Sequence, residues 1–227
     1  MRCARCGSDV FPDDGSTLDL CPACLLSAAL AGHPDPCPYR IVAPIAEGRG
    51  GTTYLAQRRR GGGLAALKIF TRRSELDQIL GRYERLKPAI SRVRHAAVAP
   101  LLDAGTTDDD LLFVSSRFVP GWPLSAIDSH GFGAEGRAEI ARQLTAAVAA
   151  IHAAGLAHLA INAANVRISA GGAVRASLIG LGTRLIVDGL APSPEADRFA
   201  LDSVLRQLLG RAAAPALPGS TTRPSAT

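Results

Sequence analysis

A 21-residue amphipathic run, a polar loop and a β-hairpin follow one another directly between residues 134 and 182, and this order constrains the chain more than any other stretch. In the run, 134–154, Ile140, Leu144, Val148 and Ile151 recur on one helical face, alanines fill the gaps, and Gly155 ends it. The loop reads His158-Leu159-Ala160-Ile161-Asn162-Ala163-Ala164-Asn165. Val166-Arg167-Ile168, a turn at Gly171-Gly172 and the strand Val174 to Ile179 come next, and Gly180-Leu181-Gly182 closes the series. The rest of the chain takes its place around that loop.

At 227 residues and 47% apolar composition, there is room for one domain of ordinary size, a real core and a small extra module. The net charge of +5 is uneven: residues 1–36 hold 2 basic and 5 acidic side chains, residues 37–95 hold 13 and 4, and residues 96–227 hold 10 and 11. A basic block can attract nucleic acid, anionic lipid or a phosphorylated partner. The chain is Ala- and Arg-rich throughout, however, with Lys68 and Lys87 its only lysines, so compositional bias accounts for the block and a nucleic-acid partner is not expected. No run approaches the ~18 apolar residues that a membrane span requires, and an N-terminus with Cys3 and Cys6 lacks a signal-peptide core. The expectation is a soluble, cytoplasmic protein without membrane association.

In a reducing compartment, cysteines at close spacing point to metal before disulfides. Cys3-x-x-Cys6 and Cys21-x-x-Cys24, with fourteen residues between the pairs, form a zinc-ribbon pattern, because two such knuckles complete the tetrahedron that Zn²⁺ prefers. A module of 1–32 is too short to bury a core, so metal binding would supply its folding energy. Four thiolates leave no open position, and the expected zinc is structural. Cys37 is left over as a free thiol in the linker 33–38, where Pro34, Pro36 and Pro38 force extended backbone.

From Tyr39 the chain turns to short β segments. Ile45 to Ala56 carries Gly48, Gly50 and Gly51 between two strand-like runs, and glycines let the backbone pass where a Cβ would intrude. After an Arg-rich turn at Gly61-Gly62-Gly63 comes Ala66-Leu67-Lys68-Ile69, a strand carrying one of the two lysines. Residues 74–94 place Leu76, Ile79, Leu80 and Tyr83 on a helical period, with Pro88 expected to end or kink the helix. Ala99 to Gly105 and Leu111 to Val114 read as an antiparallel pair around Asp108-Asp109-Asp110, a solvated hairpin tip. Ser115 to Gly121 follows, then the helix and loop described above.

Over residues 39–210 these motifs, in this order, resemble bacterial Ser/Thr protein kinases in a degenerate, pseudokinase-like form, and zinc ribbons precede the kinase domain in some members of that family. The resemblance implies an α+β, two-lobed protein-kinase-like fold with a truncated C-lobe, preceded by the small ribbon. The N-lobe would span 39–118 and the C-lobe 119–210, with 211–227 a disordered tail. It further implies nucleotide-binding roles for Gly48, Gly51, Lys68, Glu84 as the lysine's partner on the helix, and Asn165. His158, Leu181 and Asp197 would be structural, and Ser116 the gatekeeper at the hinge. In the family the loop is His-Arg-Asp-x-Lys-x-x-Asn and a later Asp-Phe-Gly supplies a magnesium ligand. Here Leu159, Ala160 and Asn162 replace the Arg, Asp and Lys, and Gly180 replaces the second Asp.

Three readings follow. The first is a pseudokinase, a regulatory or scaffolding module for another protein that binds ATP weakly or without Mg²⁺. The second is an atypical active kinase using another carboxylate, Asp188 being the nearest after Gly182. The third is a zinc-ribbon adaptor for protein or nucleic acid, favoured if Arg58 to Arg60 form one face with Arg72 and Arg73.

Overall fold

The structure is a computed structural model that describes residues 38–210 except Arg49, Arg72, Arg73 and Gly171. The expected ribbon with Cys3, Cys6, Cys21 and Cys24, the leftover Cys37, and the tail 211–227 lie outside the described residues. So does the test of a face shared by Arg58–Arg60 with Arg72 and Arg73.

The first half is a five-stranded antiparallel sheet of β1 (Tyr39–Gly48), β2 (Gly51–Arg58), β3 (Leu64–Phe70), β4 (Leu101–Thr106) and β5 (Leu112–Arg117), in the order β1-β2-β3-β5-β4. Alternation sorts its faces. In β3, Ala65 and Leu67 turn to one side and pack with Tyr39, Ile41, Ala56 and Phe113. Phe70 enters the main core with Ile79 and Tyr83 of α1 (Leu76–Arg92). Tyr39 ties the sheet together: its ring meets the edge of Phe113, and its hydroxyl bonds Ser115 Oγ at 2.6 Å. The aspartates at 108–110 are exposed at the β4–β5 tip, where Thr107 Oγ1 accepts from Leu111 N.

Helix α1 turns the periodic residues that the sequence marks to the core, and Pro88 does not end it, since the helix runs on to Arg92. The proline leaves the Glu84 carbonyl without its helical donor, and both residues lie on the exposed side, where water can bond that carbonyl.

The second half contains β6 (Trp122–Pro123), a 3-10 turn Leu124–His130, α2 (Ala134–Ala153), a second 3-10 turn Ala163–Asn165, β7 (Val166–Ser169), β8 (Arg175–Leu178), α3 (Thr183–Val187) and α4 (Pro194–Gly210). The strands pair in the order β6-β7-β8. Ile140, Leu144, Val148 and Ile151 of α2 are buried as their spacing predicts, facing β8 and α4. Gly121 is required where β6 crosses β7, since a Cβ there would collide with the Ile168 carbonyl. The outer edge of β8 is sealed twice. Gln143 bonds Ala176 N through Oε1 at 2.7 Å and Val174 O through Nε2 at 3.0 Å, and further along Ala97 O and Ala99 N clasp Leu178. One continuous core runs from Phe70 and Ile79 through Val98 and Val114 to Ile140, Leu185 and Leu208, so the two halves share their buried surface. Among the described residues no helix is long and apolar enough to cross a membrane.

Candidate functional site

The loop between α2 and β7 is shaped from beneath by one carboxylate. Asp197 stands in the first turn of α4, which opens with Ser193 Oγ accepting from Ala196 N at 3.3 Å and Pro194 at a position that needs no N–H. The Pro192-Ser193-Pro194-Glu195 stretch is thus a helix start. Asp197 is fully buried, and it accepts from His158 N at 2.6 Å, Leu159 N at 2.7 Å and His152 Nε2 at 3.0 Å. These bonds hold Leu159 at φ 61°, a left-handed conformation that a non-glycine residue rarely adopts.

The loop's other polar groups close on themselves. Ala160 O accepts from Asn165 Nδ2 at 2.7 Å and Asn162 Nδ2 at 3.1 Å. Asn162 Oδ1 caps the 3-10 turn, taking Ala164 N and Asn165 N at 3.0 and 3.1 Å. Asn165 O in turn receives Ile179 N at 2.8 Å, which joins the loop to the strand leading into Gly180. His158 lies wholly inside and donates from Nε2 to Ile179 O at 3.0 Å, while its Nδ1 has no partner among the described residues. Protonating Nδ1 would bury an N–H without an acceptor; burial accordingly lowers the His158 pKa to about 4.

Leu181 is buried in the core between two left-handed glycines, Gly180 at φ 87° and Gly182 at φ 86°. A Cβ on Gly180 would meet nothing within 4 Å, so the place of a side chain there is open space. A Cβ on Gly182 would press within 3.1 Å of Ile90 and Leu101.

On the sheet side, Lys68 pairs in register with Thr53 of β2 and Val114 of β5, on the same strand face as Phe70. Its Nζ lies 4.9 Å from the Phe70 ring centre, and no described carboxylate is within ion-pair distance. The structure does not bring Glu84 to Lys68. Glu84 is on the exposed face of α1, 3.5 Å from Lys87. The inward residues Ile79, Tyr83, Leu86 and Ile90 are apolar or phenolic, so α1 presents no carboxylate to β3. Tyr83 reaches Asp103 Oδ1 at 3.2 Å, and its pKa is raised by burial and by that neighbouring charge. Gly48 borders open space, whereas Gly51 packs against β3 so closely that a Cβ would strike the Ile69 carbonyl. Ser116 pairs with Ala66 and Leu101 at the end of β5, with Arg117 beyond it.

A contact between α1 and α3 has no counterpart among the sequence motifs. Arg82 donates from Nε to Ile186 O at 2.7 Å and from Nη2 to Val187 O at 3.2 Å, capping the C-terminal end of α3. A Cβ at Gly189 would sit 3.3 Å from the guanidinium carbon, so the glycine makes room for it. Asp188 is engaged by Arg184 Nη1 at 2.8 Å. Among the described residues no three of His, Cys, Asp or Glu converge as a metal site.

The chain is 31% identical over 176 residues to the serine/threonine-protein kinase pkn2 of Myxococcus xanthus, covering 76% of this chain and 20% of that protein. It is 29% identical over 133 residues to pkn3 of the same organism, covering 57% and 24%. It therefore spans a quarter or less of the curated relatives it matches. The crystal structure of the Mycobacterium tuberculosis PknI kinase domain superposes with a TM-score of 0.63 at 23% identity, covering 84% of this chain and 83% of that one. The fold is that of a protein kinase domain. No protein-family model matches the chain. Lys68 lies on the third strand and Asp197 under the loop that joins α2 to β7.

Proposed function

We propose that this chain is a pseudokinase: a kinase-fold regulatory or scaffolding module that engages another protein and does not transfer phosphate. The observation that carries this reading is a fully braced loop without its reactive group. Asp197, Asn162 and Asn165 hold the backbone at 158–165 in place, yet the side chain at Ala160 is a methyl group and Gly180 has none. A catalytic base in this role contributes about 10²–10⁴-fold, and the metal that balances phosphate charge in kinases needs an acidic ligand. The residues present do not fit a magnesium ion. They do leave Lys68 with an aromatic neighbour and no described carboxylate, which suits a phosphate oxygen better than an ion-paired lysine would. Nucleotide binding is therefore expected to be weak, independent of Mg²⁺ and dependent on Lys68. Asp188, the carboxylate on which an atypical mechanism would draw, is committed to Arg184.

The N-terminal cysteines extend the proposal. Four thiolates from Cys3, Cys6, Cys21 and Cys24 form a closed donor set for one structural Zn²⁺, and the ribbon would serve as the module's second contact surface.

The deciding experiment measures nucleotide binding with and without Mg²⁺, and phosphate transfer, for the full chain beside Lys68→Ala, Ala160→Asp and Ala160→Asp/Gly180→Asp. No transfer above background is expected from any of them, because an aspartate at 180 must also adopt a left-handed backbone. Lys68-dependent transfer by the unmodified chain would overturn the reading.

A further inference from the structure

We infer that the groove between α2, the outer edge of β8 and the two segments flanking the β4–β5 hairpin takes an extended segment of another protein, in which an apolar residue is flanked by carboxylates. The inference rests on the reading of the chain as a module that engages a partner, and it gives that partner a place. The groove has a volume of about 640 Å³ and lies between the connection that leads into β4, the segment Arg117–Pro120 after β5, and the facing sides of α2 and β8. Among the described residues it shares no lining side chain with the loop 158–165 or with Lys68. Small side chains make the room. Ala97, Ala99, Ala146 and Ala176 line it where larger residues would close the gap, while Phe118 and Val174 give it apolar walls.

The rim is basic. Arg117 at the end of β5 and Arg175 at the start of β8 are exposed, and neither side chain makes a hydrogen bond or ion pair with the described residues. Arg142 is already spent on Glu139, which it grips through Nε at 2.8 Å and Nη2 at 2.6 Å. Two cations are thus left uncompensated in the lining, and its one carboxylate is neutralised. Such a cleft concentrates anions, and its apolar walls choose among them. A nucleic acid or a phosphate headgroup would meet the rim and leave the walls empty, whereas a peptide with Asp or Glu beside an apolar residue meets both. The manner of holding follows from β8. Its outer edge is closed to a further strand, because the Gln143 amide takes Ala176 N and Val174 O where a neighbouring strand's peptide group would sit, and Ala97 O and Ala99 N take Leu178. Side chains therefore do the recognising, with carboxylates on the two arginines. The chain's own acidic tip, Asp108–Asp110, is not the occupant, since six extended residues of β5, roughly 20 Å, separate it from Arg117.

Selection from a library tests this. Short peptides with a central leucine and randomised neighbours are passed over the immobilised full chain, and the retained peptide is labelled and titrated by fluorescence anisotropy against the unmodified chain, Arg117→Ala/Arg175→Ala and Ala146→Leu. Asp and Glu should be selected beside the leucine. Loss of two exposed ion pairs should weaken binding about tenfold in the arginine variant, and about 0.5 M salt should act in the same direction. Ala146→Leu, which fills the groove without altering charge, should weaken it as well. Unchanged Trp122 emission shows that a variant is folded; should Ala146→Leu unfold, the arginine variant still decides, because Arg117 and Arg175 have no described partner to lose. Nucleotide binding and phosphate transfer are read on the same proteins, so failure of the pseudokinase reading shows itself there and failure of docking in the titration. Absence of acidic selection, binding that survives Arg117→Ala/Arg175→Ala, or equal displacement of the peptide by an oligonucleotide or by anionic vesicles overturns the inference. Self-association that the arginine variant abolishes and the peptide reverses overturns it too, in favour of the Asp108–Asp110 tip of a second copy.

Discussion

Asp197→Ala tests how the loop is held. The carboxylate receives three donors at 2.6, 2.7 and 3.0 Å in a fully buried setting, two from consecutive backbone amides and one from His152. Hydrogen bonds to a charged group contribute about 1.5–3 kcal/mol each, and removing one partner of a buried charged network costs about 3–5 kcal/mol because its donors are left dry. Relaxation of Leu159 from its left-handed backbone returns about 1 kcal/mol of that strain. The net expectation is a loss of about 3–4 kcal/mol, a large share of the roughly 5–15 kcal/mol of an ordinary domain. Asp197→Asn keeps the shape but turns an N–H toward other N–H groups, and should lose about 2–3 kcal/mol. Urea unfolding followed by the single tryptophan, Trp122, measures both at constant slope. A loss below about 1 kcal/mol for Asp197→Ala would show that the loop holds itself, and the brace would have to be abandoned.

Stability should also depend on His158. Its folded pKa of about 4 lies below the ordinary 6.5, so the unfolded chain binds the proton first; stability is full above pH 6.5 and falls by about 3 kcal/mol as pH drops to 4. In His158→Gln, which keeps a donor for Ile179 O, that part of the pH slope should vanish in parallel unfolding titrations. Gly51→Ala should cost about 2 kcal/mol or more, because its Cβ meets the rigid Ile69 backbone, while Gly48→Ala should be nearly neutral in thermal unfolding. Glu84→Ala should leave nucleotide affinity unchanged in a binding titration, since Glu84 sits with Lys87 on the outer face of α1. Metal analysis should find one zinc per chain, absent from Cys21→Ser.

Much of the fold could be read in the sequence because periodicity reports burial. Ile140, Leu144, Val148 and Ile151 fixed the face of α2, and Leu76, Ile79, Leu80 and Tyr83 that of α1. The loop residues were legible by spacing, and the structure gives His158 and Asp197 one shared carboxylate bond. Glu84 misled because a glutamate at helical spacing says nothing of which way its turn faces; the inward positions went to Tyr83 and Leu86 instead. Pro88 does not end α1 because the cost of a missing N–H depends on whether water can reach the orphaned carbonyl. Helix α3 left no sequence signal, for a single turn of five residues has no period to detect. Gly51 was read as room for phosphate, but in the structure its bare Cα faces the neighbouring strand.

Arg82 couples two parts of the molecule that are far apart in sequence. Since its guanidinium binds the carbonyls of Ile186 and Val187, it recognises the course of the backbone and is indifferent to which apolar side chains are carried there. Many sequences could occupy 185–187 and keep the joint, provided they fill the same buried space and leave Gly189 bare. Mechanically, α1 and α3 then form a single lever. A protein leaning on the outer face of α1, where Glu84 and Lys87 lie, would pull on the segment after Gly182 without touching it, and the two could part only by breaking both Arg82 bonds to part-buried carbonyls.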